Sequence, residues 1–527
     1  MQACKLIAAA SAVLLFCAAT LSRAEEEQLG KVKFANSCAP AVQAEFERGV
    51  AMLHSFWYSA AEKTFRDVLT KDPGCAIATW GIASILMSNP LAGQGASPKG
   101  AEAAQAAIEQ GRRIGAKTQR ERDYIEAVAA YYQDFGTRTE RARQDSRAKA
   151  YEALAARYPD DDEAQIFYAL YLAGTQLQSE QTFAAYLKAA GILEKQFAKY
   201  PDHPGVAHYL IHSYDAPPIA QQGVPAARRY ASIAPAAPHA LHMPSHIFTR
   251  VGAWEDSAAT NIRSAEVAAK GGEPNEAYHA SDYAVYAYLQ LARDKDARRV
   301  IEQVLKVKYN PAVRGGPYAG AAMPARYALE RGAWREAMEL KVQSSKFPYV
   351  DAITYFARAL GAVRSGDAAA AEKEAGELAR LHKALRDAGD KYWATEVEVQ
   401  RLAVDGWLAL AEGKRDEALK NMRAAADMED RNEKHIVTPG RVVPARELLG
   451  DMLLELKQPA LALKEYEASQ VREPNRFRGL FGAALAAEGA GDRQKAATYY
   501  ARLAALAKNA DSTRPEIARA RAYVAQR

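Results

Sequence analysis

Apolar residues recur at three- and four-residue intervals along nearly the whole chain, on a background rich in Ala, Leu, Glu, Lys and Arg. That spacing predicts amphipathic helices, and strand-like alternation is weak throughout. A short phrase punctuates the helices: Gly or another small residue, an aromatic or polar residue two later, then Ala three after that. "GAWED" at 252, "GAWREA" at 332, "SGDAAAA" at 365, "EGKRDEA" at 412 and "GAGDRQKAA" at 489 carry it. The pattern predicts an all-α chain of helical hairpins. "NPLAGQGASPKG" at 89–100 and "NEKHIVTPGRVVP" at 432–444 interrupt it as loops. Residues 101–150 are helical but irregular, and the stretch from about residue 512 is a closing helix.

The phrase keeps time. Lys457-Gln458-Pro459, Ala462 and Tyr466 correspond to Gly491-Asp492-Arg493, Ala496 and Tyr500, an offset of 34 residues. Tyr58, Ala61, Phe65 and Pro73 repeat the spacing near the start. This resembles the tetratricopeptide repeat, a helix–turn–helix unit of about 34 residues. The resemblance implies a right-handed α-solenoid of roughly nine or ten stacked units over residues 25–527. It also implies that the first helix of each unit lines a concave groove. No break in the pattern marks a separate domain. The phrases "MLHSFWY" (52–58), "HMPSHIFTRVGAW" (242–254) and "VVPARELLGDML" (442–453) are similar to those of poorly characterised exported bacterial tetratricopeptide-repeat proteins. That likeness carries no activity, because the scaffold serves many functions.

The N-terminal residues match a secretory signal: Lys5, an apolar stretch from Leu6 to Leu21, and Ser22-Arg23-Ala24 before Glu25. Cleavage after residue 24 would place the mature chain in the periplasm or outside the cell. No later run is long and apolar enough to span a bilayer. Removing Lys5 and Arg23 from the 69 basic residues leaves 67 against 64 acidic ones, a net charge of +3. With no basic cluster, nucleic acid is not an expected partner. Cys38 and Cys75 remain after cleavage, and in an oxidising compartment they form either a disulfide or two buried thiols.

Histidine changes the picture. The chain has ten, and six fall in the 44 residues 203–246, within a His-rich centre spanning about 203–290. His208 and His212 are four apart, and so are His242 and His246; the second pair follows the first by 34 residues. The resemblance puts both pairs at the same two groove positions of adjacent units. His279 and Asp282 extend the set into a third unit. Imidazoles four apart share a helix face and can chelate one ion. Neutral His is the commonest ligand for Zn, Cu or Fe as divalent ions. The expected metal ligands are therefore His208, His212, His242, His246, His279 and Asp282. Asp215 and His239 are expected just outside them, with Asp215 a ligand, an orienting group for His212 or a solvated acid. Pro244 allows the second helix to start late. His54 is expected in packing or as a polar group of the groove, and His203 in a turn.

H-E-x-x-H is absent, as are G-x-S-x-G, a P-loop and a dinucleotide fingerprint, which excludes the usual zincin and nucleotide-binding readings. Two functions remain open. One is an exported solenoid with a metal site in its groove, acting as a metal-dependent enzyme or a metal carrier. The other is a scaffold whose groove binds a peptide or protein, with the histidines as polar contacts.

Overall fold

The computed structural model describes residues 28–526. The proposed signal, residues 1–24, and with it Cys4 and Cys17, lie outside the described residues. Every regular element among the described residues is helical, and none is long and apolar enough to cross a membrane. The helices form tetratricopeptide-like stacked hairpins in two compact units.

The first unit holds the described residues up to Gln176, with Ala184–Tyr214 and Gly223–Pro244. Its helices are α1 (Gln43–His54), α2 (Tyr58–Lys71), α3 (Ile77–Leu86), α4 (Pro98–Ile114), α5 (Gln119–Tyr132), α6 (Glu140–Arg157), α7 (Asp162–Ala173), α8 (Ala184–Lys199), α9 (Pro204–Ser213), α10 (Val224–Ile233) and α11 (Pro238–His242). The second unit holds Leu177–Phe183, Asp215–Gln222 and the residues from Ser245. It contains most of α12 (Pro244–Arg250), then α13 (Trp254–Lys270), α14 (Pro274–Gln290), α15 (Asp294–Val304), α16 (Gly315–Glu330), α17 (Trp334–Met338), α18 (Pro348–Arg364) and α19 (Ala368–Asp387). It continues through α20 (Lys391–Ala411), α21 (Arg415–Asp430), α22 (Ala445–Glu455), α23 (Pro459–Arg472), α24 (Phe477–Gly489), α25 (Arg493–Leu506) and α26 (Pro515–Ala525). Residues 77–199 form hairpins whose long connections depart from the 34-residue spacing.

The repeat phrase has a packing cause. The Phe65 ring sits between Gly49 and Gly81; a Cβ on Gly81 would approach it to 2.5 Å. Tyr466 sits in the same way between Gly450 and Gly482. The small residues on the inner helices make room for one ring from the outer helix. Cys38 and Cys75 are joined in a disulfide.

Each unit has its interior filled by its own chain. In the first, α9 returns to pack on α1. The segment before α1 lines the unit with Leu29, Val32 and Phe34 buried, tied by Lys31 N–H to Asp202 O (3.0 Å) and by Ala236 N–H to Gln28 O (3.4 Å). Phe34, fully buried, meets Phe46, Trp80 and Tyr124, one ring from each of α1, α3 and α5, at centroid distances of 5.1–5.3 Å. In the second unit the filler is the predicted 432–444 loop. Tyr283 donates to Thr438 O (2.8 Å), Arg326 donates to Gly440 O (2.8 Å), and His435 stacks on Trp393.

Candidate metal centre

Helix α9 starts at "HPGVAH" for local reasons. Pro204 occupies the first turn, where its missing N–H costs nothing. The His203 side chain caps the helix by accepting the Val206 N–H at 3.3 Å. Its turn position is thus as expected. One turn on, His208 and His212 project from the same face, with their Nε2 atoms 3.1 Å apart. His239, on α11, brings its ring to 5.2 Å from that of His208. The three imidazoles place ligand nitrogens within 4.8 Å of one another. All are buried, at 0%, 1% and 6% exposure. Phe56 packs against all three rings and Tyr230 stacks on His208, so the walls are aromatic.

Tautomer decides what this cluster can do. His208 Nδ1 lies 2.6 Å from the carbonyl oxygen of His54. A carbonyl only accepts, so Nδ1 carries the proton and Nε2 presents its lone pair toward His212. This is the arrangement that orients metal-bound histidines. Two nitrogens at about 2.0–2.1 Å from one ion, subtending roughly 90–110°, lie about 2.9–3.4 Å apart. The observed 3.1 Å fits.

A second buried cluster lies in the same unit. Glu163 on α7 is held between His54 Nε2 and His203 Nε2, each at 2.9 Å. Its residues also have metal-ligand types and spacing. Here the tautomer argues the other way. His203 Nδ1 accepts a backbone N–H, so its proton sits on Nε2 and points at the carboxylate. The cluster is a carboxylate clamped by two N–H donors, with His54 Nδ1 completed by Tyr209 Oη at 2.9 Å. Burial opposes the charge on Glu163, but the two histidines outweigh it and hold the carboxyl below its ordinary range. Burial also pushes His54 down, against the pull of Glu163. His54 is therefore more than packing. Its side chain anchors the clamp while its carbonyl orients His208.

The remaining expected ligands come from separate helices. Pro244 opens a new helix, so His242 ends α11 and His246 belongs to α12. The second H-x-x-x-H pair does not lie on one helix. The break instead brings His239 in with His208 and His212, and His242 sits 5.7 Å ring-to-ring from His239. In the second unit, His246 Nδ1 donates to Asp215 at 2.8 Å. The His279 ring is 6.5 Å from that of His246, with Tyr283 beside both. Asp215 thus orients His246, not His212. It is neither solvated nor lone, because Arg250 Nε (2.8 Å) and Lys434 Nζ (3.1 Å) also reach it. Burial opposes its charge, but Lys434, Arg250 and His246 hold its carboxyl well below the usual range. Burial pushes Lys434 down to about 8.

Asp282 is the clear departure. It is ion-paired with Arg326, both fully buried. Burial raises its carboxyl against the pull of Arg326. Its repeat position matches that of His208, and that match alone predicts a ligand there. The buried cation that claims it lies 44 residues on. Glu447 is likewise buried, against Arg476 at 2.8 Å.

No family model matches the chain, and no curated protein is similar to it in sequence. Solved structures similar in fold include a human IFIT1 dimer with m7Gppp-AAAA, at 13% identity, over 78% of this chain and 87% of that one, with a TM-score of 0.35. The APC/C hetero-tetramer Cut9–Hcn1 is similar at 11% identity, over 91% and 96% of the chains, with a TM-score of 0.29. Yeast Tom70 is similar at 11% identity, over 92% and 88%, with a TM-score of 0.30.

Proposed function

We propose that this is an exported metal-binding protein that holds one divalent transition ion, Zn, Cu or Fe, at His208, His212 and His239. The observation that carries the reading is the Nε2–Nε2 separation of 3.1 Å, with His208 fixed by the His54 carbonyl in the tautomer a metal requires. Full burial and aromatic walls suit retention of the ion better than turnover of a large substrate. The filled interiors weigh against the alternative of a scaffold binding a peptide in the groove, since segment 28–38 and loop 432–444 already lie there. Export rests on the N-terminal pattern and is supported by the Cys38–Cys75 disulfide, a bond that persists in oxidising compartments.

The test is metal analysis of protein purified from a periplasmic fraction without affinity-metal steps. One equivalent of metal is expected in the wild type. His208→Ala and His239→Ala should lose it while keeping the helical circular-dichroism spectrum. A wild type that holds no ion and takes up none of Zn²⁺, Cu²⁺ or Fe²⁺ would refute the proposal.

A further inference from the structure

Arg147 is a buried cation that forms no ion pair among the described residues. It lies on α6, 1% exposed. Its guanidinium carbon is 4.3 Å from the Tyr171 ring centroid and 5.2 Å from that of Tyr131, and Nη1 touches the Met87 sulfur. Nε and Nη2 have no hydrogen-bond partner among the described residues. A guanidinium cannot shed its proton to escape burial. The rings offset part of the desolvation through their faces, which leaves the N–H edge unsatisfied.

The same edge shows its use elsewhere in this chain. Arg120 offers Nε and Nη2 to the two oxygens of Asp161, at 2.6 and 3.0 Å. Arg514 does so to Asp294, at 3.0 and 2.5 Å. Paired parallel N–H groups match a carboxylate. At Arg147 the two donors are present and the acceptor is not among the described residues. The surroundings include a segment with little side-chain bulk: Met87 leads into the Gly/Pro-rich stretch 89–97, whose Ala96 N–H donates to Tyr131 Oη at 3.0 Å.

We infer that the Nε/Nη2 edge of Arg147 is the receptor for the carboxylate of a small-molecule ligand, bound inside the first unit beside Tyr131 and Tyr171. The site is independent of the histidine cluster and does not require a metal.

The experiment is thermal unfolding of the full chain in acetate and in benzoate, against chloride and phosphate at matched ionic strength. One of the carboxylates should raise Tm saturably by about 2–4 °C beyond chloride. Arg147→Lys keeps the charge but loses the paired donors, and should abolish the rise. Arg147→Met is run in parallel in case the lysine variant does not fold. If neither variant folds, the wild type is titrated with carboxyl-¹³C acetate: a shift saturating at one equivalent supports the site, and a linear response overturns it. The inference is also overturned if neither carboxylate exceeds chloride, if phosphate matches the carboxylates, or if the rise survives in a folded Arg147 variant.

Discussion

His208 reaches back 154 residues to donate its Nδ1–H to the carbonyl oxygen of His54. That bond ties the orientation of a candidate ligand to a helix end that is itself fixed by Glu163. The consequences can be measured.

Metal binding should depend on pH through the imidazoles. A bound ion requires neutral His, and free His takes up a proton near pH 6.5. Metal added to chelator-stripped protein is expected to raise Tm at pH 7.5, with the increment shrinking steadily below about pH 6. An increment unchanged at pH 5 would point to other ligands.

Glu163 and His54 set a second pH dependence. His54 is held neutral by burial, whereas in the unfolded chain it protonates near 6.5. The folded state then binds fewer protons, and stability falls as pH drops below that value. Glu163 is depressed from 4.5, so its contribution is present above 4.5 and is lost as pH falls further. Glu163→Gln should cost about 2–4 kcal/mol at pH 7 and flatten the loss below pH 4.5. Urea denaturation between pH 3.5 and 8 reads both.

Asp215→Asn should be among the most damaging single changes in the second unit. It leaves the buried Lys434 without its ion pair and Arg250 with Glu433 alone. Removing one member of a buried ion pair typically costs about 3–5 kcal/mol. The Lys434→Met change in an Asp215→Asn background should recover part of the loss, as a double-mutant cycle would show.

Gly205 is confined by the His54 ring: a Cβ there would lie 2.3 Å from Nδ1. Gly205→Ala is expected to cost roughly 1–3 kcal/mol through overpacking. It should also weaken metal uptake, because moving His54 disturbs the carbonyl that holds His208. Normal uptake in a destabilised variant would separate the two roles.

The sequence made the helices legible because small residues and rings recur at a fixed interval, and Phe65 between Gly49 and Gly81 shows why. It also revealed His208 and His212, since one helix turn suffices to pair them. It could not reveal the clamp: His54, Glu163 and His203 come from α1, α7 and the cap of α9, and they meet because α9 returns to α1. His239 stands at the edge of the set in the sequence, and its place beside His208 follows from the helix break between 242 and 246. Pro244 carried the signal, since a proline in a first turn opens a helix. The Arg326 partner of Asp282 was not legible, because repeat position fixes where a side chain starts but not which buried cation lies opposite. Arg147 left no trace in the sequence, because an arginine on an outer helix ordinarily faces water.

The segment lining the first unit bears on how such a protein is made and how it can change. Open repeat arrays tolerate gain or loss of a repeat, because each contacts only its neighbours. Here Gln28 bonds to Ala236 and Lys31 to Asp202, so this segment waits for hairpins made long after it before it can dock. Deleting one internal hairpin would remove that landing place or shift it out of reach. The first unit should therefore be inherited whole, with its repeats no longer interchangeable.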